Sequence, residues 1–218
     1  MKRKIKSIKI SCDGGAATGK STGAKMIAKK YKLKFLSSGL LYRYASYLII
    51  NHKPNNKIVF LKEKFKKLNY DRLKKINLHT AEISEYSANI AKILSVRKVL
   101  KNFQIKFIKK NKNCVLEGRD ASTKIMPESD LKFFFICNKQ IAAKRRFKEL
   151  KKQSKNIQFN DVKKALVSRD KQDRSRRFSP LQRHPDAITV DSGKLNKKAM
   201  LEKMIKHVER VLKNKYVN

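Results

Sequence analysis

The sequence predicts an α/β protein built on a doubly wound parallel sheet, and three observations carry that expectation. Apolar runs of strand length alternate with segments of helical periodicity along the whole chain. The first run ends in a glycine turn that opens directly into a helix. Two further runs, Cys114 to Leu116 and Leu131 to Cys137, are short and rich in Phe and β-branched residues, as expected of strands covered on both faces.

Taken in order, Lys4 to Cys12 alternates lysine with Ile5, Ile8 and Ile10 and then meets Gly14 and Gly15, which reads as a strand entering a turn. A helix follows to Tyr31, with Ala24, Met26, Ile27 and Ala28 read as one face, and Phe35 with Leu36 makes a second short strand. Ser37, Ser38 and Gly39 open another helix, stopped by Asn51 and Pro54. Residues 55 to 80 are lysine-rich and weakly patterned, with helical and extended fragments expected. Ala81 to Asn111 is helical with a break expected near Ser95. After the two apolar strands, helices are expected over Lys139 to Leu150 and Asp161 to Gln172, separated by a polar stretch. Ala187 to Val190 reads as the last strand, and Asn196 to Leu212 as the last helix.

Composition bounds the rest. A chain of 218 residues suits one core with a small subdomain, and 33% charged with 40% hydrophobic residues suits a folded chain. Lys and Arg number 56 against 17 acidic residues, a formal charge of +39 with a pI near 10.4. The lysines run from Lys2 to Lys215 among many Asn and Ile residues, which reads as a compositional bias. Such a broad field attracts polyanions without forming a site, so no specific nucleic-acid partner is expected. Cys12, Cys114 and Cys137 are odd in number and lack metal-ligand spacing, which points to reduced thiols. No apolar stretch reaches about 18 residues and no signal-type segment follows the basic start. A cytoplasmic monomer without membrane contact is the expectation.

Gly14, Gly19, Lys20 and Ser21 satisfy GxxxxGK[ST] after a strand and before a helix. Glycines there let backbone N–H groups turn inward around phosphate oxygens, and the helix N-terminus faces the same anion. Lys20 is expected to neutralise the β and γ oxygens of the bound phosphates, and the Ser21 hydroxyl to ligate Mg²⁺. Motors, GTPases and many kinases share this loop, so it leaves the acceptor open.

Three other groupings bear on the acceptor. Ser38 and Arg43 flank the start of the second helix, where a phosphate could be held; an ordinary helix cap with a solvent-facing arginine fits the same residues. Arg119 and Asp120 follow the strand at 114 to 116 and should project toward the crevice at the strand ends. Arg169, Asp173 and Arg176 fall at i, i+4 and i+7, on one face if the helix persists, and arginine offers phosphate two fixed donors.

Together, DGGAATGKST at 13 to 22, SSGLLYR at 37 to 43, VRKVL at 96 to 100, EGRDASTKIMPESDLKFFF at 117 to 135 and RDKQDRSRRFSPL at 169 to 181 resemble bacterial cytidylate kinases in order and spacing, and DAITVDS at 186 to 192 extends the match. The resemblance implies a three-layer nucleoside monophosphate kinase fold with a five-stranded parallel core, a monophosphate-binding region at about 52 to 95 and a lid at about 148 to 160. It implies transfer of a phosphoryl group from ATP to CMP or dCMP. Arg43 and Arg119 would hold the acceptor phosphate, Arg97 with Asp120 would read the cytosine edge, and Arg169, Asp173 and Arg176 would contact the acceptor's sugar and phosphate. By matching position Gly14, Gly15, Ala16, Ala17, Thr18, Gly19, Lys20, Ser21 and Thr22 would hold ATP, and Arg145 and Arg146 would clamp the donor phosphates. Three departures fall on the acceptor side: Ser37 where the family usually has Asp, Ala88 with Ser87 adjacent where it has a cytosine-contacting serine, and a shortened segment at about 60 to 82 that implies a reduced subdomain. A P-loop kinase for another monophosphate or a nucleoside, and a nucleic-acid-binding P-loop protein, are the competing readings.

Overall fold

A computed structural model describes residues 7–152 and 156–216. Five parallel strands form one sheet in the order β2-β3-β1-β4-β5, with β1 Lys9–Gly14, β2 Lys34–Ser37, β3 Cys114–Gly118, β4 Leu131–Ile136 and β5 Ile188–Asp191. The expected doubly wound α/β architecture is present. The eight helices among the described residues are α1 Lys20–Lys30, α2 Ser38–His52, α3 Lys57–Lys66, α4 Ala81–Ile90, α5 Leu94–Lys110, α6 Lys139–Lys151, α7 Phe159–Ser175 and α8 Lys197–Tyr216.

The period-two geometry of β3 divides the core. Val115 points to one face, packing with Ile8, Ile10, Cys12 and residues of α1 and α8. Cys114 and Leu116 point to the other, packing with α2, α3, α4 and α5. On that second face β1 presents polar groups. Ser11 bonds Ser129 at 2.8 Å, and buried Asp13 accepts from Ala121 N and Ser122 N of a single π turn, Ala121–Ile125. The centre of the sheet thus carries a polar seam that leads to the strand ends.

Several boundaries differ from expectation for identifiable reasons. Expected to begin at Lys4, β1 begins at Lys9, where ladder pairing with Cys114 starts; Ile8 N donates instead to the Asn113 side chain, and residues 4 to 6 lie outside the described ones. The break expected at Ser95 falls at Ala91 to Ile93, where Arg97 donates to the carbonyl of Ala91 at the end of α4. Between residues 55 and 80 α3 and a 3₁₀ turn, Tyr70–Lys75, are the regular elements, and extended backbone is confined to flanking residues such as Asn56, Asn69 and Ile76 with no strand formed. Of the expected lid span 148 to 160, residues 153 to 155 lie outside the described ones.

Candidate active site

The phosphate loop joins β1 to α1 across the C-terminal edge of the sheet, where a doubly wound fold gathers its ligands. Gly14 has φ 151°, and a Cβ there would stand 2.4 Å from the carbonyl oxygen of Phe135, so only glycine fits. Inside the loop Thr18 Oγ1 and Lys20 Nζ both donate to the carbonyl of Gly15, at 3.0 and 3.1 Å. Lys20 also lies 3.4 Å from Glu117 at the end of β3, and Ser37 Oγ donates to the other Glu117 oxygen at 2.5 Å. Burial, with help from Arg119, pushes the Lys20 ammonium down to about 8. Burial would raise Glu117, but Lys20 and the Ser37 hydroxyl outweigh it and hold the carboxyl below its usual range.

A cavity of about 610 Å³ opens from this loop toward α2, α4, α6 and α7. Ala16, Ala17, Ser21 and Glu117 line its loop side, and Arg43, Arg146 and Arg169 line the other. These three guanidiniums converge on one neutral residue. Arg43 and Arg146 donate to Ser84 Oγ at 2.5 and 2.9 Å, and Arg169 donates to the Ser84 carbonyl at 3.0 Å. Of the three, Arg146 pairs with a carboxylate, that of Glu149, whose other oxygen lies 3.8 Å from His79. Burial, compounded by Arg169 and Arg146, pushes Arg43 down to about 9; burial, compounded by Arg119, pushes Arg169 down to about 10. Buried Arg169 Nε has no hydrogen-bond partner among the described residues. Like charges gathered on a neutral acceptor are what an incoming phosphate dianion relieves.

Beneath this cavity runs a chain of buried ion pairs. Arg119 donates to Asp173 at 2.8 Å, Arg176 donates to the other Asp173 oxygen at 3.1 Å, and Arg97 pairs with Asp120. The expected set is therefore split: Arg43, Arg146 and Arg169 face the cavity, while Arg97, Arg119, Asp120, Asp173 and Arg176 are engaged with one another beside it. Arg176 is not on the helical face, because α7 ends at Ser175; it reaches back from the extended residue that caps the helix. Ser38 is turned away to donate to Gln104 Oε1, leaving Ser37 and Gly39 on the cavity. Arg145 lies on the far side of the loop, donating to Ser192 Oγ and O at 2.9 and 2.7 Å, and Ser192 in turn holds the Thr18 carbonyl. Ser87 is buried against Arg169, and Ala88 lines the cavity.

Several contributors escaped the sequence reading. Glu117 was visible as the residue closing a strand. Asp13 preceded the loop glycine and Ser192 followed the last strand. Ser84 and Tyr70, whose hydroxyl accepts from Ser37 N at 2.8 Å, carried no signal because nothing local marks them.

The Mg²⁺ expectation can be tested on the donor set. Ser21 and Glu117 line the same cavity, and no group of three or more His, Cys, Asp or Glu among the described residues could hold a metal. One hydroxyl and a nearby carboxylate fit an ion that keeps water and phosphate oxygens as ligands.

A phosphate loop on a five-stranded parallel sheet, facing a cavity lined by three arginines, defines a P-loop kinase. Solved structures support the fold: a shikimate kinase from Bacteroides thetaiotaomicron aligns with TM-score 0.51 at 14% identity, covering 94% of this chain and 98% of that one. The cytidylate kinase family model matches residues 10–210, and the chain belongs to that family. A cytidylate kinase of Rickettsia felis is 33% identical over 207 residues, 93% of this chain and 92% of that one. One from Thermosipho melanesiensis is 34% identical over 214 residues, 94% and 98% respectively.

Proposed function

We propose that this family member transfers the γ-phosphoryl group of ATP to CMP or dCMP, giving ADP and CDP or dCDP. The observation that carries the reading is the phosphate loop facing Arg43, Arg146 and Arg169 across one cavity, since both phosphates must be brought into line with their charges neutralised. The acceptor phosphate is itself the nucleophile, so the chain need supply no covalent intermediate.

Lys20 would follow the charge that develops on the transferring phosphoryl group, with Glu117 and Ser37 holding it across the loop. Mg²⁺, held by Ser21 with Glu117 nearby, would supply further charge neutralisation. Arg43 and Arg169 would take the acceptor phosphate, Arg146 would bridge toward the donor, and Arg145 would steady the donor side of the loop through Ser192. Arg119, Asp173 and Arg176 would serve the acceptor's sugar and phosphate, and Arg97 with Asp120 the base, each by exchanging part of its ion pairing for nucleotide contacts. Residues 52 to 95 would form a reduced, helical monophosphate-binding region, and about 148 to 160 a lid that excludes water. The free thiols support a reducing, cytoplasmic setting.

Coupled turnover with ATP and Mg²⁺ against CMP, dCMP, UMP, AMP and GMP tests the reading. CMP or dCMP should lead the panel, and a preference for AMP or UMP over both would overturn the substrate assignment.

A further inference from the structure

One carboxylate lies against the phosphate loop without being part of it. Asp170, on α7, accepts the backbone N–H of Ala16 through Oδ1 at 2.8 Å, across 154 residues of chain. Its other oxygen stands 2.7 Å from where a Cβ on Gly15 would lie, so the loop and the helix meet at a place that admits only glycine without displacement. Asp170 sits well inside α7, eleven residues after its start at Phe159, and caps no helix end.

What surrounds Asp170 gives the contact its meaning. The preceding residue, Arg169, lines the acceptor-side cavity together with Ala16, while Asp170 and Gly15 line a second cavity of about 510 Å³ on the loop's other side. The contact between helix and loop thus stands between the two spaces. Three residues further on, Asp173 holds Arg119. Helical geometry links these side chains rigidly: one anchor at 170 fixes both the height of α7 above the loop and its rotation, and hence where the groups at 169 and 173 point. A carboxylate on a backbone N–H is a charge-assisted bond, and at 2.8 Å it is shorter than the 3.0 and 3.5 Å contacts that the Arg169 guanidinium makes with α4.

We infer that Asp170 is a positioning residue that ties the arginine-bearing helix to the phosphate loop, setting the alignment of Arg169 with the transferring phosphoryl group. The inference rests on the phosphoryl-transfer reading above. Its logic is that of in-line transfer, in which misplacement by about 1 Å can cost about 100-fold in rate while ground-state binding is kept. The opposing account makes Asp170 an obstruction, an anion occupying a loop amide that ATP must win back.

The test is steady-state kinetics of Asp170→Ala, Asp170→Asn and Gly15→Ala, with KM for ATP and for CMP measured separately and the melting temperature recorded for each. Asp170→Ala should lower kcat by about 10- to 100-fold, with both KM values moving much less. Asp170→Asn keeps an acceptor oxygen for Ala16 N–H and should recover most of the loss, which a role in bulk stability would not predict. Gly15→Ala should reproduce the kcat defect by pushing Asp170 away, and should add little on top of Asp170→Ala because both break one contact. Wild-type kcat in Asp170→Ala, equal defects in the Ala and Asn variants, or tighter ATP binding in Asp170→Ala would each overturn the inference. A wild-type protein inert toward CMP and dCMP would overturn the functional reading and this inference with it, whereas an active wild type with an unaffected Asp170→Ala overturns the inference alone.

Discussion

Asp13 and Ser122 are joined twice, through the backbone N–H at 2.7 Å and the hydroxyl at 2.6 Å, at a point where the first strand enters the phosphate loop. With Ala121 N they bind the loop's entrance to the π turn after β3, which Asp120 immediately precedes. Despite three donors, burial dominates and pushes the Asp13 carboxyl up to about 6.

That shift has a signed consequence. Between 3.8 and about 6 the folded protein holds a proton on Asp13 that the unfolded chain has lost, so Asp13 contributes stability below 3.8 that is lost as pH rises through about 6. Asp13→Asn removes the titration. Denaturant unfolding at pH 4, 5, 6 and 7 should show the variant with a stability profile that falls less, or rises more, than wild type across this window. Parallel profiles would show that Asp13 does not titrate there.

Lys20→Ala should lower kcat by about 10²- to 10³-fold, because the lost charge acts where charge develops. The coupled assay under saturating ATP and CMP measures it, and turnover within a few fold of wild type would remove Lys20 from the mechanism.

Asp120→Ala has two expected effects. Its partner Arg97 is almost fully buried, and stranding that charge should cost about 3–5 kcal/mol of stability. The acceptor panel should also show a weakened preference for cytidine nucleotides. Unchanged selectivity in a folded variant would show that the pair is structural only.

Ser84→Ala withdraws the hydroxyl on which Arg43 and Arg146 converge. The nucleotide-free protein should lose about 1–3 kcal/mol, and CMP should restore part of it by supplying oxygens to the same guanidiniums. Thermal unfolding with and without CMP measures this; an equal loss in both conditions would mean that Ser84 and the acceptor phosphate do not share these donors.

The parts of the site that were legible in the sequence are the contiguous ones. Anion binding by a turn of backbone amides writes itself into consecutive residues, Gly14 to Thr22, and helical spacing related Arg169 to Asp173. Asp170 was passed over because it lies one residue off that helical face, and its partner Ala16 is a feature of the fold. Likewise the pairing of Arg97 with Asp120 was not legible, because two residues 23 apart leave no periodic trace. Residues 55 to 80 resisted reading since their helix and turn are anchored by few buried side chains, chiefly Leu61, Phe65, Leu73 and Leu78. Without a repeating apolar face there is little pattern to find.

The convergence of three arginines on Ser84 also bears on how long the protein lasts. Among the described residues Arg146 alone of the three pairs with a carboxylate, Glu149, so nucleotide binding should tighten the contacts between α4 and the rest of the fold and lower the population of opened states that proteases cut. In a nucleotide-starved cell the chain would then be degraded faster, making its abundance follow the supply of what it binds.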